Sequence, residues 1–160
     1  MKFVYKNLFN VVLFLYLIIG GYYSLQTGIS IDERHEQINW EYNIALIKNI
    51  FFGIQIDPVF DEHVDYFYGI GFHLISQPIQ FFLREIVINF QNIDLYGAHL
   101  VSKHLVIFIT FFISGIFFRL LLKKVIENDI FVFLSTLIYL FYPYLLGHSF
   151  FNLKDIPFMS

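Results

Sequence analysis

Three apolar runs, each 18 residues long, decide what this chain can fold into. Leu8 to Leu25 carries no charge, Leu105 to Leu122 carries only Arg119, and Ile130 to Gly147 carries none. At about 1.5 Å per residue, a helix of that length reaches about 27 Å, close to the hydrocarbon thickness of a bilayer. Inside hydrocarbon a backbone must satisfy its own N–H and C=O groups, so such runs are helices. Composition agrees. The 160 residues are 58% hydrophobic, against about 45–50% in ordinary soluble domains, and mean hydropathy is +0.65. The expected fold is an all-α integral membrane protein. It has three transmembrane helices (about 8–25, 105–122 and 130–147) and a long outer loop, about 26–104, bearing amphipathic surface helices.

Charge orients the spans. Lys2 and Lys6 precede the first, and Arg119, Lys123 and Lys124 end the second, with Arg119 able to snorkel to the headgroups. The stretch Tyr68 to Leu83 is apolar but short, holds Gly69, Gly71 and Pro78, and stops at Arg84-Glu85. Read as an interfacial or re-entrant helix that does not cross, it leaves both basic clusters on the cytoplasmic side, as the positive-inside rule requires. The N-terminus is then cytoplasmic, and the first run is a retained anchor, too long for a signal-peptide core and lacking a small-residue cleavage site. A multi-pass protein of a bacterial inner membrane or an ER-type membrane follows. Net charge is −3, which leaves no basic footprint for nucleic acid. With no cysteine, disulfides and thiolate zinc sites are excluded. No Walker loop, dinucleotide fingerprint or H-E-x-x-H string occurs.

The outer loop is acidic, and its first part has helical spacing. Ile38, Tyr42, Ala45, Leu46 and Asn49 recur on one face beside Trp40. This predicts an amphipathic helix from about Glu33 to Phe52 on the outer leaflet, stopped at Phe51-Phe52-Gly53. Asp57-Pro58 then marks a turn.

Polar residues cluster at three places near span ends. Asp32-Glu33-Arg34-His35-Glu36 follows the first span. Its carboxylates and imidazole suit a general base or a divalent-cation site. They equally suit a helix start, with Asp32 as N-cap and Glu33 and Glu36 complementing the dipole. Lys103-His104 precede the second span, either as boundary residues that snorkel or as cations for a lipid phosphate. His148 and Asn152-Leu153-Lys154-Asp155-Ile156-Pro157 follow the third, where Lys154 is an interface anchor or a phosphate contact. Asp61-Glu62-His63-Val64-Asp65 has the composition of a metal site but reads as a solvated turn.

Asp32-Glu33 just past the first span resembles the acidic motif in the first outer loop of GT-C glycosyltransferases, nearest in pattern to the protein O-mannosyltransferase (family 39) group. The string His148-Ser149-Phe150-Phe151-Asn152-Leu153-Lys154-Asp155-Ile156-Pro157-Phe158 resembles the second outer loop of bacterial members. Lys103-His104 stand where many relatives have Arg or His. The resemblance covers the whole chain as the N-terminal part of such an enzyme. It implies transfer of a sugar from a polyprenyl-phosphate carrier to an acceptor lipid, glycan or protein on the outer face. It implies Asp32 as base, Glu33 as its positioning partner, and His35, Lys103, His104, Lys154 and Asp155 around donor and acceptor. A divalent cation is left open, as is the sugar, because the mannosyltransferase His-Pro-Pro string does not occur here. The alternative is a small non-enzymatic membrane accessory or assembly protein whose aromatic outer loop binds a partner.

Because the chain has no native cysteine, single cysteines report position cleanly. Asp32→Cys and Asp155→Cys are both expected to react with an impermeant maleimide added from the outer side. Labelling from opposite compartments would separate the two clusters for good.

Overall fold

A computed structural model describes residues 2–55 and 70–159, so Asp57 and the acidic turn 61–65 lie outside the described residues. Helix is the only regular secondary structure among the described residues. In order the helices are α1 (Lys2–Gln26), α2 (Ile31–Phe52), α3 (Gly71–Gln91), α4 (Leu95–Val125), α5 (Asp129–Leu140), α6 (Pro143–His148) and α7 (Asp155–Met159). Two are long and apolar enough to cross a membrane, α1 over Leu8–Gln26 and α4. Their outward sides are strongly apolar, with Phe14, Ile18, Phe117 and Leu121 all exposed. Such surfaces are stable against lipid and costly against water.

α4 is the central helix. The buried cluster of Ile107, Phe108 and Phe111 on α4 receives Tyr16 from α1, Leu140 from α5, and Leu153 and Ile156 from the C-terminal segment. Close approach depends on two glycines. A side chain at Gly20 would fall inside the Phe108 ring, and one at Gly115 would strike Leu140. Arg119 takes a more specific position than free snorkelling. Its guanidinium lies over the Phe9 ring at 3.6 Å, a cation–π contact that partly replaces lost hydration.

The third apolar run is not one helix. It breaks between Leu140 and Pro143, giving α5 of 12 residues and α6 of 6. Pro143 has no N–H to give the preceding turn, and it pushes Tyr142 into extended backbone (φ −60°, ψ 117°). The break leaves the Leu140 carbonyl without its helical donor, and the Tyr16 hydroxyl donates to it at 2.9 Å.

α4 also departs from expectation. It starts at Leu95, ten residues before the apolar run, where the Asp94 carboxylate accepts the Gly97 N–H at 3.2 Å. Its 31 residues reach about 46 Å, well beyond the roughly 30 Å of hydrocarbon. Lys103 and His104 are therefore interior to a helix, not at its boundary, and both are fully buried. α3 likewise runs past Arg84-Glu85 to Gln91, where Asn92 in the left-handed region (φ 54°) closes it. Arg84 is a good helix former and does not stop the helix; its guanidinium folds over the Phe81 ring at 3.7 Å.

Replacing Tyr16 by Phe leaves a buried carbonyl without a donor. That should lower stability by about 1–3 kcal/mol, read as an earlier thermal unfolding midpoint in detergent.

Candidate functional site

α2 forms where its caps dictate. Ser30, not Asp32, is the N-cap. Its hydroxyl accepts the Glu33 N–H at 3.4 Å, and the Glu33 carboxylate accepts the Ser30 N–H at 2.8 Å. Gly53 closes the helix in the left-handed region (φ 66°), as the sequence predicts. The buried face is unexpected. It is formed by Glu33, Glu36, Gln37 and Asn39 with Tyr42, while Ile47 and Ile50 are exposed. The helix turns polar groups inward, toward the buried Lys103 ammonium and His104 imidazole of α4.

The deepest contact joins α1, α2 and α4. Glu33 Oε2 lies 2.6 Å from His104 Nε2, with both side chains almost fully buried. The other ring nitrogen, Nδ1, donates to the Ser24 carbonyl at 3.2 Å. Both imidazole nitrogens thus face acceptors. The two bonds need two protons, one on Nδ1 and one shared between Nε2 and Glu33. Burial pushes the Glu33 carboxyl up, but His104 and the Ser30 N–H and hydroxyl outweigh it and hold it below the usual range.

One turn along α2, Glu36 faces two lysines. Its Oε1 meets Lys154 Nζ at 3.3 Å, which ties the early acidic cluster to the late polar one. Its Oε2 is buried without a hydrogen bond among the described residues. Burial raises the Glu36 carboxyl despite the opposing charges of Lys103 and Lys154. Lys103 Nζ has no hydrogen-bond partner among the described residues, and its strongest electrostatic interaction is with Glu36. The carboxylates of α2 are what make a buried ammonium tolerable at that depth.

Asn152 shapes the C-terminal segment. Its side-chain oxygen accepts the N–H groups of Lys154 (3.0 Å) and Asp155 (2.9 Å). Its amide nitrogen reaches His148 Nδ1 at 2.8 Å and Asp155 Oδ2 at 2.9 Å. This turn aims Lys154 at Glu36. α3 supplies the last wall. His73 stacks on Trp40 with ring centroids 5.5 Å apart, and Gln77 donates to Gln37 at 3.2 Å. A cavity of about 330 Å³ lies between these elements. Its polar lining is Glu36, Asn39, His73, Lys154 and Asp155, and Phe72, Leu153 and Phe158 are among its apolar walls. That is within the size range of small-molecule sites.

Of the residues expected at a site, the structure brings Glu33, Lys103, His104, Lys154 and Asp155 to this region. Asp32 and His35 are exposed on α2 and do not line the cavity. Sequence reasoning placed Glu36 and Asn152 in the two clusters without giving either a role, and missed His73, Asn39 and Trp40 as members. Helical spacing held part of the signal, since 33, 36/37 and 40 share a face of α2, and 73, 76 and 80 share one of α3. Among the described residues, no group of three His, Asp or Glu side chains is disposed to hold a metal ion. Compared with protein-family models, curated proteins and solved structures, the chain matches none.

Burial, helped by the charge of Lys103, holds the His73 imidazole down to about 3. An unfolded imidazole takes its proton near pH ~6.5. Between those values only the unfolded state gains a proton, so this group removes stability as pH falls through that window. His73→Phe keeps the ring on Trp40 and eliminates the effect. In detergent unfolding curves, the variant should gain on the wild type steadily from about pH 6.5 downward. A constant difference would refute the assignment.

Proposed function

We propose that the protein transfers a sugar from a polyprenyl-phosphate-linked donor to an acceptor hydroxyl or amine at the outer membrane face. The observation that carries this reading is the Glu36–Lys154 pair at 3.3 Å. It joins the two clusters whose sequence resembles the first and second outer loops of GT-C glycosyltransferases. In this reading α5 and α6 together make the third crossing and the N-terminus is cytoplasmic. The polar region then sits at the outer end of the bundle, where a phosphate on a lipid tail would lie. Amphipathic walls of the kind lining the cavity suit such a headgroup, with apolar surface for the chain and cations for the charge.

The chemistry is a displacement at the anomeric carbon. A base removes the acceptor proton, the acceptor atom bonds to that carbon, and the carbon–oxygen bond to phosphate breaks with its electron pair leaving on the phosphate. Asp32, exposed on the first turn of α2, is the base an acceptor from the aqueous side can reach. Glu33, held by His104 and Ser30, positions that turn. Both ring nitrogens of His104 are occupied, so the phosphate charge falls to Lys103 and Lys154. Cations fixed where charge develops lower the barrier more than they stabilise the ground state.

Asp32→Asn in the full-length protein should reduce transfer from labelled polyprenyl-phosphate sugar by about 100-fold or more, the usual worth of a general base. Unchanged turnover would remove Asp32 as base. No transfer by the wild type with any lipid-linked sugar would leave the accessory-protein alternative.

A further inference from the structure

We propose that Glu36 is a built-in stand-in for the donor's phosphate: its carboxylate holds Lys154 at the cavity wall, and an incoming phosphodiester displaces it from that lysine. The inference rests on the donor being phosphate-linked, and it concerns how that same site is kept in check.

The argument begins with charge. Lys103 is fully buried and its ammonium makes no hydrogen bond among the described residues. A lone ammonium at that depth is untenable without a nearby anion. Glu36 has the largest electrostatic effect on it. The same carboxylate holds Lys154 at 3.3 Å, and the Lys154 side chain is 42% exposed at the cavity wall. One carboxylate thus answers two cations from two elements, α4 and the segment before α7.

Glu36 fits this position badly. One oxygen meets Lys154, while the other is buried with no donor among the described residues. Burial favours its protonated form, the mark of an anion that loses more hydration than its partners return. A phosphodiester carries one charge on two free oxygens and stays ionised across the physiological range. In the cavity it would meet Lys154 with one oxygen and keep the other in the open volume, where water reaches it, rather than stranded. Glu36 and Lys154 are both on the cavity wall, beside Phe72, Leu153 and Phe158. Its roughly 330 Å³ is far more room than the resident carboxylate uses.

The competing reading is a plain clasp. There, Glu36 only fastens Lys154 and the Asn152 turn to α2, and removing it would loosen the site and weaken any ligand. The two readings predict opposite signs.

The test is binding of a farnesyl methyl phosphodiester to the full chain in detergent, by isothermal titration, with no sugar and no turnover involved. Glu36→Gln removes the resident anion and should bind the probe about tenfold more tightly than wild type, since a nearby like charge is lost. Glu36→Asp keeps the charge but shortens the arm, breaking the reach to Lys154. It should bind about two- to threefold more tightly, and it decides the matter if the Gln variant does not fold. Lys154→Met should bind at least about tenfold more weakly. Equal or weaker binding by folded Glu36 variants overturns the proposal, as does no binding by any form. Tighter binding by Glu36→Gln in a protein that transfers no sugar would sink the transferase reading and leave this one standing. Transfer activity with unaltered affinity would do the reverse.

Discussion

A helix longer than the membrane is thick sets the terms for this structure. α4 carries its apolar register through the core and then continues at its N-terminal end with Lys103 and His104 turned inward. A buried ammonium and a buried imidazole with both nitrogens facing acceptors demand carboxylates at matching depth. α2 supplies them, Glu33 to His104 at 2.6 Å and Glu36 facing Lys103. Because His104 also binds the Ser24 carbonyl, the same contact fixes the end of α1. Gln91 of α3 donates to the neighbouring Leu25 carbonyl, so α3 is anchored at the same point. Three helices are thereby placed by one residue pair on α4.

The break at Pro143 has a comparable reach. A straight third helix would carry His148 and the following segment away from the bundle axis. The turn at Leu140–Pro143, with its carbonyl taken by Tyr16, brings the chain back over α4. Leu153 and Ile156 then enter the central core. That burial, with the Asn152 turn, delivers Lys154 to Glu36. A small local defect in an apolar run therefore decides whether two distant polar clusters meet. Order at the site comes from apolar packing below it as much as from the ionic contacts within it.

Parts of this were legible in the residues. Hydropathy marked α1 and the lower part of α4, and Gly53 marked the end of α2. The late cluster and the early one could be named as belonging together. Other parts were hidden for identifiable reasons. A hydropathy rule that stops at charge ends α3 at Arg84, although Arg and Glu are good helix formers and the helix runs on to the Asn92 cap. A boundary rule places Lys103 and His104 at an interface, because burial of a cation makes sense only when its counter-ions are known. The α2 pattern was read by its apolar residues, whereas the face that packs inward is the polar one.

The order of helices, their apolar character and the location of ionisable groups along the chain follow from the sequence alone. They depend on local backbone hydrogen bonding and on hydropathy, which act within a few residues. Which carboxylate meets which cation was decided only in three dimensions. Glu33, Glu36 and Asp32 are chemically near-equivalent neighbours, and a rotation of about 100° per residue separates them on a helix. Only the side-chain contacts of α2 with His104 and Lys154 turned two of them inward and left Asp32 facing out.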